Sequence, residues 1–249
     1  NMNILFAIMH SRCDSHFVII GNSDADNSID PKYINKFTGN VNARKTDEED
    51  VPNIANSFCH LSHIYQVLNT YYVSKIWGIR VTLLNLGIVY GISTDETEIA
   101  HGLETRFYYD SVFGTVVNRF CSQAICEAPL TIHGSGKQKR SFIILRDAIK
   151  CLEKVILLSP QTGQVNILKG VADTLSINEL AKFIQDNARE YDRKTEIIHV
   201  ENPRIELRSG NNNLIDPSKD FDIDMVSIKN GSLKKVMDKI IEYKDNLKP

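Results

Sequence analysis

The chain is expected to fold as an α/β protein, with a Rossmann-like parallel sheet and a smaller α/β portion toward its C-terminal end. Two patterns carry that expectation. Phe17-Val18-Ile19-Ile20-Gly21 and Val81-Thr82-Leu83-Leu84 are short, nearly unbroken apolar runs. Such runs suit strands covered on both faces, as in a parallel sheet flanked by helices. Between them lie segments with apolar residues at helical spacing, so strands and helices alternate. At 249 residues the chain can enclose a sizeable core.

Taken in order, Leu5, Ile8 and Met9 predict a helix over residues 1–12, and residues 17–21 the first strand. Residues 22–55 are rich in Asn, Asp and Lys, acidic at Asp47–Asp50, and predict a long loop. Phe58, Leu61, Ile64, Tyr65, Leu68, Tyr72 and Ile76 make 56–77 a long amphipathic helix that Gly78 stops. Residues 81–91 follow as the next buried strand. A helix is expected over 112–127, strands over 130–133 and 141–145, a helix over 147–158, and a strand over 165–168. Ser176 and Glu179 have the spacing of a capping box and open a helix reaching about Arg189. A strand at 196–200 and a charged amphipathic helix at 232–244 complete the prediction. The domain division expected is 1–111 for the Rossmann-like part and 112–249 for the second part, with some segments returning to the first sheet.

Composition narrows the function. Twenty-nine Lys+Arg against 31 Asp+Glu leave a formal charge of −2. That is not the concentrated cationic footprint a nucleic-acid binder needs. No apolar run approaches the length of a membrane span. The five cysteines form no CxxC pair, so neither a disulfide framework nor a metal site is expected, and a soluble protein of a reducing compartment is.

Three local patterns resemble chemistry. His133-Gly134-Ser135-Gly136-Lys137 looks like a phosphate loop, but Thr131 stands where a P-loop has its first Gly, and Gln138 follows the Lys. No GxGxxG or GxxGxxG occurs, so the pyrophosphate turn of a dinucleotide site is missing. Tyr71-Tyr72-Val73-Ser74-Lys75 spells the tyrosine–lysine pair of short-chain dehydrogenases, yet it lies at the wrong end of its helix and is read as a decoy. Cys59 and His63, four apart on that helix, could form a thiol–imidazole dyad.

Residues 85–147 resemble the UDP-sulfoquinovose synthase family, extended short-chain dehydrogenase/reductases of the NAD-dependent epimerase/dehydratase type. The text that carries this is Asn85-Leu86-Gly87-Ile88-Val89-Tyr90-Gly91, Thr94-Asp95-Glu96-Thr97 and Arg106-Phe107-Tyr108-Tyr109-Asp110. It continues through Val112-Phe113-Gly114-Thr115, Asn118-Arg119-Phe120, Gln138, Arg140 and Arg146-Asp147, with weaker similarity over nearly the whole chain. The resemblance implies the family reaction of sulfolipid biosynthesis, UDP-glucose and sulfite to UDP-sulfoquinovose with NAD. It puts Asn118, Gln138, Arg140 and Arg204 on the UDP-sugar, the arginines clamping pyrophosphate as planar, permanently charged forks do. It puts Asn85, Gly87 and Val89 beside the nicotinamide. It also implies pairing of two copies through the long helix.

The departures fall on the catalytic positions. The family's Thr, Tyr and Lys are here Asn22, Cys59 and His63. The opening residues align inside a helix partway through the family fold, so the sheet is expected to lack its N-terminal strands. Another polypeptide, or a segment outside this sequence, would complete it. The expectation is a synthase-like protein impaired in catalysis, with NAD binding in doubt. The alternative is a non-catalytic structural or regulatory subunit of a larger assembly.

Overall fold

A computed structural model of the chain describes residues 2–22, 58–100, 103, 106–110, 113–202 and 220–243. Among these the architecture is α/β. Its helices are α1 (Met2–Ser11), α2 (Phe58–Trp77), α3 (Val116–Ile125), α4 (Leu145–Ile156), α5 (Ile177–Ala188) and α6 (Ser232–Glu242). Its strands are β1 (His16–Asn22), β2 (Arg80–Leu86), β3 (Ile88–Tyr90), β4 (Leu130–His133), β5 (Lys139–Ile144), β6 (Val165–Gly170), β7 (Asp173–Ser176) and β8 (Ile197–Val200). The chain divides into two compact units interleaved in sequence. Among the described residues, one holds 2–22, 58–86 and 152–169, the other 87–151, 170–202 and 220–243 as far as these are described.

The first unit is built on the sheet order β1-β2-β6. Strands β1 and β2 are parallel, running in register from His16 opposite Arg80 to Asn22 opposite Leu86. Ile19, Val81 and Leu83 supply the strand side of its core, and Leu5 from α1 with Ile64, Val67 and Val73 from α2 supply the helix side. A polar ladder crosses the opposite face of the sheet. His16 Nε2 lies 2.8 Å from Thr82 Oγ1, which also accepts from Asn166 Nδ2 at 3.5 Å. Arg80 meets Asp14 at 2.8 Å at the same end.

The second unit contains a β3-β5-β7 sheet, β3 parallel and β7 antiparallel to β5, and a parallel β4-β8 pair. Its core gathers Phe120, Ile132, Phe142, Leu180, Ile184, Leu233, Val236 and Met237, drawn from α3, β4, β5, α5 and α6. The Ser176–Glu179 capping box is present in full: Ser176 Oγ accepts from the Glu179 N–H, and Glu179 Oε2 from the Ser176 N–H at 2.8 Å. Those bonds hold the Glu179 carboxyl below its usual range. Two buried carboxylates fasten the segment before α6. Asp147 Oδ2 accepts from the Val226 N–H at 2.7 Å, and Asp173 takes Ser227 Oγ and the Ile228 N–H at 2.6 Å each. Tyr90 Oη and Ser232 Oγ, 2.7 Å apart, add a third buried link, and burial pushes the phenol upward.

The structure departs from expectation in several elements. Residues 81–91 are two strands in two sheets, because the backbone breaks at Gly87. A Cβ there would stand 2.8–2.9 Å from the Ser141 and Phe142 backbone, while the Gly87 N–H donates to Gly170 O at 3.0 Å. Helix α3 starts at Val116 after an extended Thr115 and is closed by Glu127, whose φ is 58°. Strand β5 leads without a loop into α4, which therefore begins at Leu145 rather than 147. Strand β7 was not expected. It is only four residues long and alternates about Thr174 and Leu175, too short for a periodicity to register. Of the expected loop at 22–55, Asn22 ends β1 and the remainder lies outside the described residues.

Exchanging Asp173 for Asn keeps the shape but puts an amide where two donors need an acceptor. It should lower stability by about 1.5–3 kcal/mol, the range for hydrogen bonds to a charged group. The measurement is the urea midpoint at unchanged slope. Burial, then the Arg80 charge, holds the His16 imidazole below its ordinary value of 6.5. The unfolded chain thus takes up this proton first on acidification. The stability linked to His16 is complete above about pH 6.5 and declines as pH falls toward the folded-state value. Unfolding free energies measured against pH should show a shallower acid decline in His16→Gln than in the natural chain.

Candidate functional site

In the first unit the candidate residues gather at the C-terminal ends of β1 and β2, the end where open α/β sheets bind ligands. Gly21 stands opposite Asn85 in the ladder, and a Cβ on Gly21 would run into Asn85 Oδ1. Glycine is required there by close approach. The Asn85 side chain is 1% exposed, and its Nδ2 has no hydrogen-bond partner. Asn22, the next residue of β1, lies opposite Leu86.

Helix α2 begins at the same end. Its Gln66 Nε2 donates to Ile20 O at 3.2 Å, which fixes the helix against β1. His63 lies about one turn nearer the N-terminus and is half-buried, with Nδ1 buried and unpartnered. Cys59 is one further turn back, in the first turn of α2, and its side chain lies outside the described set. The Tyr71–Lys75 pair is at the far end of the helix. Tyr71 packs on the apolar core, Ser74 Oγ donates to Gln164 O at 3.1 Å, and Lys75 is exposed. That is the surrounding of a packed aromatic and a solvated lysine.

The second unit holds the other candidates. Gly87 is accounted for by its approach to β5, and Val89 by its pairing with Ile143. Asn118, 7% exposed on α3, accepts from the Gly91 N–H at 2.9 Å and donates to Tyr108 O at 3.4 Å. It joins the turn after β3 to the aromatic segment 106–110. Gln138 and Arg140 flank Lys139 at the start of β5. The Gln138 carbonyl accepts from the Ile177 N–H at 3.2 Å, and Arg140 Nη1 donates to Lys139 O at 3.0 Å. The preceding loop is tied down by Asn178, whose N–H reaches Gly136 O at 3.0 Å and whose Nδ2 reaches Ser135 O at 3.1 Å. Gly134 and Gly136, at φ 71° and 67°, take the left-handed conformation this loop needs. Arg204 lies outside the described residues.

Two positioning groups were not singled out as site residues from the sequence. Asp147 and Asp173 bind donors of the segment before α6 that lie 79 and 54–55 positions away, so no spacing announced that link. Among the described residues no group of His, Cys, Asp and Glu could hold a metal ion, and no helix is long and apolar enough to cross a membrane.

The geometry assigns Asn118 a bridging task that can be measured. Asn118→Ala would leave the Gly91 N–H unpaired and should cost about 1–3 kcal/mol in thermal unfolding. Amide exchange at Gly91 should accelerate at the same time. Unchanged exchange there would show that the bridge does not hold the turn.

Comparison with known proteins gives these features a relation. No family model matches the chain. It is 35% identical over 205 residues to "UDP-sulfoquinovose synthase, chloroplastic" of Spinacia oleracea, a match covering 82% of this chain and 42% of that protein. It is 36% identical over 166 residues to UDP-sulfoquinovose synthase of Sulfolobus acidocaldarius, covering 67% of this chain and again 42% of the other. The chain thus spans less than half the length of these relatives. Among solved structures, dTDP-glucose 4,6-dehydratase from Bacillus anthracis in complex with NAD matches 98% of this chain and 67% of its own, with TM-score 0.65 and 14% identity. UDP-glucuronic acid 4-epimerase from Bacillus cereus, in complex with UDP-glucuronic acid and NAD, matches 96% and 65% with TM-score 0.60 and 17% identity. The chain is therefore a sequence relative of the UDP-sulfoquinovose synthases, built on the Rossmann-type fold of the epimerases and dehydratases.

Proposed function

We propose that the chain is a UDP-sugar-binding relative of UDP-sulfoquinovose synthase that does not by itself perform that enzyme's proton transfers. What supports this reading is the residue types at the three positions that the resemblance aligns with the family's Thr, Tyr and Lys, here Asn22, Cys59 and His63. A thiol is much shorter than a phenol and delivers no proton to the same place. An imidazole lacks the compact, permanent charge with which a lysine would hold a ribose and favour a phenolate. On the substrate side, Gln138, Arg140 and Arg204 would meet the UDP pyrophosphate. Asn118 would act mainly by holding the Gly91 turn.

NAD supplies hydride transfer where it is bound. The residues here fit at most its nicotinamide end, where the unpartnered Asn85 Nδ2 offers one donor. The pyrophosphate end needs a Gly-rich turn, and none occurs in the sequence. Calorimetric titration should therefore give binding of UDP-glucose and no heat with NAD. Incubation with UDP-glucose, sulfite and NAD should yield no UDP-sulfoquinovose, and Cys59→Ala should leave UDP-glucose binding unchanged. Turnover by the purified chain would sink the proposal.

A second reading, a non-catalytic subunit of a larger assembly, is favoured by a particular surface. Phe58, Tyr65, Tyr72 and Ile76 on α2 are 86%, 57%, 53% and 64% exposed. The three aromatics recur every seven residues, the spacing of a helix–helix seam. α2 carries no acidic residue to oppose pairing. The partner would be a second copy through α2. A further polypeptide would extend the sheet beyond β1, which is an edge strand among the described residues. A heat-free titration with UDP-glucose, together with an assembly that Tyr65→Lys dissociates in sedimentation, would select this reading over the first.

A further inference from the structure

Asn230-Gly231 is the one Asn-Gly pair in the sequence, and it stands at the entry to α6. A short 3₁₀ turn over Ile228–Asn230 ends on the asparagine, and Gly231 follows as the residue that begins α6. Both are exposed. Gly231 has a φ of 94°, in the left-handed region, so any other residue there is strained. A Cβ on it would meet nothing within 4 Å, so the space around this peptide is open. No hydrogen bond among the described residues holds the Asn230 side-chain amide, and no side chain caps α6.

The pair lies between two fixed points. On one side Asp173 takes Ser227 Oγ and the Ile228 N–H at 2.6 Å each. On the other, Ser232 Oγ lies 2.7 Å from Tyr90 Oη, and both residues are buried. Only Lys229, Asn230 and Gly231 join these anchors, so the length of main chain between them is set closely. Beyond Ser232, α6 delivers Leu233, Val236, Met237 and Ile240 to the core. All of these groups belong to the second unit.

We propose that Asn230 is a site of spontaneous conversion to isoaspartate, and that this modification loosens α6 by breaking the Ser232–Tyr90 link. The reacting atoms are neighbours through covalent bonds, and glycine leaves the nucleophile unshielded. The Gly231 nitrogen gives its proton to hydroxide, bonds to Asn230 Cγ and expels the side-chain nitrogen as ammonia. Water then opens the cyclic imide. Cleavage at Cγ leaves aspartate, and cleavage at the main-chain carbonyl leaves isoaspartate, with the chain routed through Cβ and Cγ. Water enters, ammonia leaves and nothing is oxidised. The isoaspartyl main chain is one atom longer, which the closely set span between Ile228 and Ser232 does not absorb. The new charge alone is harmless, because a carboxylate beside a helix N-terminus is favoured. None of this depends on the nucleotide-sugar reading.

The test is incubation of the full chain in mildly alkaline buffer, followed by peptide mass spectrometry and enzymatic methyl labelling of isoaspartyl residues. Asn230 should convert faster than every other asparagine, at a rate that rises in proportion to hydroxide. The melting temperature of the converted chain should fall by about 2–4 °C, the size of one lost buried hydrogen bond. Asn230→Gln, which closes such a ring far more slowly, should keep its melting temperature over the same interval. Freshly purified Asn230→Asp should melt with the natural chain, which separates the longer main chain from the added charge. Conversion at Asn230 no faster than elsewhere overturns the proposal. So does isoaspartate that leaves the melting temperature unchanged, or a fall of the same size in fresh Asn230→Asp.

Discussion

The close approach of Gly87 to the backbone of Ser141 and Phe142 is the constraint on which the architecture turns. A run of apolar residues that could continue as one strand is cut there, and its halves enter different sheets. Everything after the cut follows from where β3 is sent. It pairs with β5, β5 with β7, and the turn after β3 becomes a place where Asn118 and the Thr94–Thr97 pair can act. Any side chain at 87 would have to displace main chain rather than a flexible neighbour, and packed backbone yields little.

Much of the polar inventory of the second unit is committed to holding chain segments. Asn118 spends both ends of its amide on backbone, Asn178 ties a glycine loop, and Asp147 and Asp173 each serve several donors. At the end of the first unit's sheet, Asn85 Nδ2 and His63 Nδ1 are buried with no partner. Unmet buried polar atoms carry a free-energy cost of about 1–3 kcal/mol each. Unpartnered buried atoms occur in the second unit too, Ser122 Oγ and Asn178 Oδ1 among them, so what distinguishes Asn85 and His63 is their place at the end of an α/β sheet where ligands are received.

The elements that reached the page from sequence alone were those whose signal is local. Ser176 and Glu179 announce a helix start because the two bonds of a capping box need only four consecutive residues. Val81–Leu84 reads as a buried strand because both faces are covered. Leu83 and Leu84, on opposite faces, are each fully buried. The break at Gly87 was illegible because its cause lies more than fifty residues away in β5. The same holds for Asp147 and Asp173. At the site, the residue types at positions 22, 59 and 63 were visible in the string. The unpaired state of Asn85 and His63 was not, since a missing partner leaves no trace in sequence.

The clamp on residues 226–228 sets an order on synthesis. Asp147 and Asp173 leave the ribosome long before the N–H groups they bind, and α6 supplies Leu233, Val236, Met237 and Ile240 to the same core. Until those residues emerge, the nascent second unit holds two carboxylates without their donors and an apolar face without its cover. Such an intermediate stays hydrated and open, a natural client for chaperones. A unit whose core is closed by α6, so far along the chain from Asp147 and Asp173, is completed in one late step. Slower synthesis between Asp173 and α6 would thereby lengthen the time for which this open intermediate persists.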